Sequence, residues 1–157
     1  MFHSLKNEKG VTLIELLTSI VILSIILLSF MTFFTNSFQY NAVSSDKMKA
    51  TNIAREVQEE FKVNGEKNFE LKDLITYSKT STVTTISKSS YPKLNLTEDI
   101  TKNSGILTLK LMSQNFNVEV LVDTNNDPNL HSSLAKIHVK VKKGSKVVSE
   151  AFTYFEN

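Results

Sequence analysis

The chain has 157 residues, with 18 basic and 16 acidic side chains for a formal charge of +2. So even a balance gives no net-charge argument for a nucleic-acid or acidic partner, and the absence of cysteine removes disulfides and cysteine nucleophiles. The length leaves one head domain of ordinary size once a leader and a membrane helix are subtracted.

The first informative run is Lys9-Gly10-Val11-Thr12-Leu13-Ile14-Glu15-Leu16-Leu17: a basic pre-segment, a glycine, an apolar helix start and one carboxylate inside an apolar stretch. From Leu16 to Phe34, 14 of 19 residues are large and apolar and none is charged. At ~1.5 Å per helical residue this crosses a bilayer core of roughly 30 Å, so a transmembrane helix is expected. A secretory signal would have an apolar core of only about 7 to 15 residues and a small-x-small cleavage site beyond it. Ser29 to Asn36 offers no such site. His3, Lys6 and Lys9 precede the span with only Glu8 against them, and the positive-inside rule then places the N-terminus in the cytoplasm and the head outside.

A carboxylate within the span costs on the order of 2.5 to 3.5 kcal/mol on insertion scales, so Glu15 calls for a partner. A cut after Gly10 would supply one, the α-ammonium of Val11 four residues away, within one subunit or between staggered neighbours. Lys9-Gly10 followed by Val-Thr-Leu-Ile-Glu-Leu resembles the cleavage and methylation motif of type IV prepilins and pseudopilins, over about the first 35 residues. The resemblance implies leader removal by a prepilin peptidase between Gly10 and Val11, N-methylation of Val11, and helical polymerisation. It also implies that Glu15 pairs with a neighbour's N-terminus during assembly. Val11 stands where phenylalanine is commonest in that family.

Beyond Phe34 the pattern becomes amphipathic over 36–64, with Ala50, Ile53, Ala54, Val57 and Phe61 at three- and four-residue spacings and Lys49, Arg55, Glu56, Glu59 and Glu60 between them. No proline or glycine interrupts Val11 to Asn64, so both segments are expected to form one helix ending at Asn64-Gly65. Any bend in its buried half would come from Ser19, Ser24, Ser29 or Thr32 bonding back to the preceding turn. The stretch from Glu66 to Ser104, rich in Lys, Ser and Thr with apolar runs at 69–77 and 83–86, is expected to be a variable loop region with one helix or strand.

Four runs then carry strand character: Ile106 to Met112, Phe116 to Asp123, Ser133 to Lys142, and Lys146 to Phe155. Leu107, Leu109 and Leu111 share a face of the first, Val118, Val120 and Val122 of the second, Ile137, Val139 and Val141 of the third. These faces should cover the helix stripe at Ile53, Val57 and Phe61. The turns fall at 113–115, 124–130 and 143–145, and such short connections favour an antiparallel meander.

Asp123, Asn125 and Asp127 alternate like the start of a calcium loop, but Pro128 stands where the sharp turn needs glycine and Leu134 where a glutamate would close the frame. A turn is expected there. Lys136, His138, Lys140 and Lys142 alternate along one strand and form a basic stripe, with Lys143 and Lys146 in the adjoining turn. The stripe reads as a solvated, charge-blunted outer face, or more sharply as a surface for DNA phosphates or another acidic partner. No phosphate-binding loop, His-x-x-x-His spacing or paired-carboxylate motif is present, and His131 and His138 lie seven apart. Neither a catalytic residue nor a metal or other cofactor is expected.

The expected fold class is α+β: leader 1–10, membrane and polymerisation helix 11–35, amphipathic continuation 36–64, and a head over 65–157 whose antiparallel sheet packs on the helix. The expected function is that of a pilin-like structural subunit, with prepilin peptidase, other pilin subunits, the assembly machinery and membrane lipid as partners. A pseudopilin of a secretion or DNA-uptake machine keeps the same fold, and a membrane-anchored binding domain that never polymerises is the alternative of another class.

Overall fold

The computed structural model describes residues 10–62, 66–125 and 134–156. The chain divides into two compact units, Met1–Val43 and Ser44–Asn157. The 50-residue helix α1, Leu13–Lys62, contributes to both.

In the first unit, α1 keeps its large apolar side chains exposed, from Leu13 through Phe34 and on to Phe38 and Tyr40. Among the described residues it is the one helix long and apolar enough to cross a membrane. Six hydroxyls of the apolar stretch need no solvent: Thr18, Ser19, Ser24, Ser29, Thr32 and Thr35 each donate to the carbonyl four residues back, at 2.7 to 3.2 Å. In hydrocarbon a free hydroxyl would cost several kcal/mol, so this back-bonding lets six polar groups ride inside an apolar helix.

In the second unit, the helix stripe Ala50, Ile53, Ala54, Val57 and Phe61 is buried as expected. It joins a single core with the inward faces of a six-stranded antiparallel sheet in the order β1-β2-β3-β4-β5-β6. The main strands are β3 Ile106–Ser113, β4 Phe116–Asp123, β5 Leu134–Lys143 and β6 Lys146–Glu156, within one or two residues of the expected limits. Leu107, Leu109 and Leu111 face the core opposite Val122, Val120 and Val118, which in turn oppose Ile137, Val139 and Val141. The β3–β4 turn is tighter than expected: Ser113 belongs to β3, and Gln114 takes a positive φ of 54°. The β5–β6 turn uses Gly144 at φ 62°. The helix end expected at Asn64-Gly65 and most of the 124–130 connection lie outside the described residues.

The region 66–104 is more ordered than the sequence suggests. It forms helix α2, Glu66–Thr80, two 3₁₀ turns at Lys88–Ser90 and Pro92–Leu94, and short strands β1 Thr85–Ile86 and β2 Ile100–Asn103 that extend the sheet. Leu71, Leu74 and Ile75 of α2 reach the core. Polar groups order the rest by closing helix ends and turns. Asn68 Nδ2 donates to the buried Phe61 carbonyl at 2.7 Å, satisfying an orphan group at the end of α1. Lys102 Nζ donates to the Ser78 and Ser81 carbonyls at the end of α2, where a cation also suits the helix dipole. Glu70 Oε2 accepts from the Lys93 and Leu94 N–H groups at 2.9 and 3.1 Å, and Asp99 Oδ1 from Lys88 N–H at 3.0 Å. Beside them, partial burial and then Asp73 push the Tyr91 phenol above its ordinary pKa.

Candidate processing and assembly site

The helix starts at Leu13 because Thr12 caps it. The Thr12 carbonyl accepts from the N–H groups of Glu15 and Leu16, each at 3.1 Å, and Thr12 Oγ1 accepts from Glu15 N–H at 3.3 Å. Glu15 is then the third helical residue, and Thr-x-x-Glu is a capping-box spacing. Threonine at the cap is worth roughly 0.5 to 2 kcal/mol over alanine, and a carboxylate in the first turn complements the helix dipole. The capping role of Thr12 is absent from the sequence-level expectations, although the Thr-x-x-Glu spacing encodes it.

Gly10 and Val11 precede the cap, exposed and outside the helix. Val11 therefore does not lie on the helical surface with Glu15, so helical four-residue proximity does not join them in the unprocessed chain. A Cβ built at Gly10 meets nothing within 4 Å, so the fold places no demand for glycine there. A requirement for Gly10 must come from whatever binds this segment. The Glu15 carboxylate is exposed and has no partner among the described residues. The remaining leader residues lie outside them.

The basic stripe occupies the outer face of the sheet, as the alternation requires, but cross-strand neighbours neutralise much of it. Lys140 stands between Glu119 on β4 and Glu150 on β6, and Lys110 on β3 completes a row of alternating sign. Lys142 Nζ bonds Glu119 and His138 Nε2 lies 3.0 Å from Glu150 Oε2; outside the stripe, Lys143 Nζ at the end of β5 lies 2.6 Å from Asp46 Oδ2 of α1. The Lys110 ammonium is held above the usual lysine pKa by its hydrogen bond to Glu98. Lys136 lies over the Phe152 ring, 5.3 Å from its centroid, and His138 stacks on the same ring at 4.0 Å. Opposite-charge pairs across strands support the sheet by about 0.2 to 1 kcal/mol each.

Asp123 Oδ1 accepts from Asn125 N–H at 3.0 Å, Asn125 Nδ2 donates to the Ser104 carbonyl at 2.8 Å, and the Thr124 hydroxyl donates to the Gly105 carbonyl at 2.7 Å. These bonds make a turn that ties β4 to the β2–β3 connection. Asp127 and His131 lie outside the described residues, among which no group of three metal-ligating side chains occurs.

Residues 5–31 match the family model of the prokaryotic N-terminal methylation motif, the type IV prepilin-type signal. The match takes in the start of α1, the Gly10–Val11 bond and Glu15. No curated protein and no solved structure matches the chain. A signal of this type implies processing by a prepilin peptidase and assembly with other pilin subunits.

Proposed function

We propose that the chain is a type IV pilin-like structural subunit, stored in the cytoplasmic membrane and assembled into a pilus or pseudopilus after its leader is removed. The observation that carries this is the methylation motif over residues 5–31, which leads directly into an exposed apolar helix whose first turn holds an acid with no partner among the described residues. On this reading residues 1–10 are the leader, 11–35 the membrane and polymerisation segment, 36–64 its amphipathic continuation, and 65–157 the head.

Cleavage between Gly10 and Val11 frees an ammonium group at the N-terminal end of a helix that lacks one before processing. In the bilayer the apolar segment is solvated by lipid tails, and in the filament by copies of itself, so burial alone gives little net drive or register. The ion pair supplies register. An unpaired Glu15 in hydrocarbon costs about 2.5 to 3.5 kcal/mol, a penalty relieved when the amine of a staggered neighbour reaches it.

Two variants expressed with the host's peptidase and assembly apparatus test this. Gly10→Val is expected to remain full-length in the membrane, and Glu15→Ala to be cut normally yet be poorly represented in sheared filaments or cross-linked polymers. Incorporation of Glu15→Ala at the wild-type level would refute the role given to the acid.

A further inference from the structure

Charge alone does not set how deeply α1 sits in a membrane. Between Glu15 and Asp46 there are 30 residues without a single charge. As helix they span about 45 Å, against a hydrocarbon core of about 30 Å, so the segment is free to slide by about 15 Å.

The aromatic residues are confined to one end of this run. Five of the 11 residues from Phe30 to Tyr40 are aromatic, and none of the 19 from Val11 to Ser29. All five are exposed, and Phe34 contacts the rings of Phe30 and Phe33 at centroid distances of 6.5 and 5.9 Å. Among them and just beyond stand Asn36, Gln39 and Asn41, exposed amides with no hydrogen-bond partner among the described residues. Of the five rings only Tyr40 carries a polar tip, which favours the headgroup layer; the phenylalanines suit the acyl region beside it, and primary amides need water or headgroups.

We propose that Tyr40 with the amides of Asn36, Gln39 and Asn41 forms a lipid headgroup anchor, seated above the acyl-layer rings of Phe30, Phe33 and Phe34, that fixes the depth of α1 and holds Glu15 at the opposite headgroup layer of the resting membrane. The inference rests on the membrane storage proposed above. Glu15 and Tyr40 are 25 residues apart, about 38 Å of helix, close to the roughly 40 to 45 Å of a bilayer with its headgroups. In this register 16–35 fill the hydrocarbon. Sliding ten residues one way buries the three amides, and sliding one turn the other way, about 5.4 Å, draws Glu15 into lipid. The acid is therefore hydrated at rest and becomes costly only as the subunit is lifted, when a neighbour's amine can receive it.

The chain has no tryptophan, so single-tryptophan variants of the full chain report depth directly. Leu16→Trp, Leu23→Trp and Tyr40→Trp would be reconstituted into phosphatidylcholine–phosphatidylglycerol vesicles carrying bromine at defined acyl positions. The tryptophan at 23 is expected to be quenched most by bromines at the bilayer centre, and those at 16 and 40 by bromines nearest the headgroups. A tryptophan at 40 that is unquenched, or quenched most at the centre, overturns the anchor while leaving membrane insertion intact. An unquenched tryptophan at 23 overturns the membrane reading itself. Adding Phe38→Ser and Tyr40→Ser to Leu16→Trp is expected to broaden its depth profile, and an unchanged profile overturns control of depth by the aromatics.

Discussion

Phe61 and Phe69 stand eight residues apart and make a sharp test of how the head is held together. Phe61 is 1% exposed at the end of the buried helix stripe, whereas Phe69 on α2 is 63% exposed. A fully buried phenylalanine removes about 200 Å² from water, worth about 5 kcal/mol at about 25 cal/mol per Å². Truncation in a packed core costs about 3 to 5 kcal/mol once cavity relaxation is included. For a unit the size of Ser44–Asn157, at about 4 °C per kcal/mol, Phe61→Ala should lower Tm by about 12 to 20 °C. Phe69→Ala should stay within about 0.5 kcal/mol of the parent, as surface changes usually do. Near-UV circular dichroism of the full chain in mild detergent, followed against temperature and urea, reads both. Equal losses for the two variants, or a loss below about 1 kcal/mol for Phe61→Ala, would refute the helix-on-sheet core.

Asn68→Ala removes the donor to the buried Phe61 carbonyl and should cost about 1 to 3 kcal/mol in urea unfolding, with an unchanged m-value. Gly105 combines a φ of 81° with a Cβ position 2.0 Å from Asn125 Oδ1, so Gly105→Ala should destabilise by about 1 to 3 kcal/mol and release the Asn125 bond to Ser104. Gly10→Val should melt with the parent, since nothing in the fold crowds that position, while abolishing the processed band on a gel. A melting shift in Gly10→Val would show that glycine there serves the fold after all.

Much of this architecture is legible in the sequence because its signals are local. The stripe from Ala50 to Phe61 announces itself by three- and four-residue spacing, and β3 to β5 by alternation of Leu, Val and Ile with polar residues. The region 66–104 hides for the opposite reason. Helix α2 buries only Leu71, Leu74 and Ile75 among its large apolar residues, β1 and β2 are two and four residues long, and their order depends on bonds from Glu70 to Lys93, Asp99 to Lys88 and Lys102 to Ser78. Partners 11 to 24 residues apart leave no local pattern. The basic stripe shows the same limit: four alternating positions predict the face, but not that Glu119 and Glu150 on flanking strands stand beside it. At the N-terminus, Gly10, Val11 and Glu15 are visible as a motif, since a peptidase and an assembling neighbour read linear sequence rather than a folded pocket.

Mass spectrometry of the mature chain recovered from its host tests the central claim most directly. The account predicts a polypeptide beginning at Val11, its α-amine carrying a methyl group and lying within cross-linking reach of Glu15 in an adjacent subunit. A chain that still begins at Met1 would contradict it.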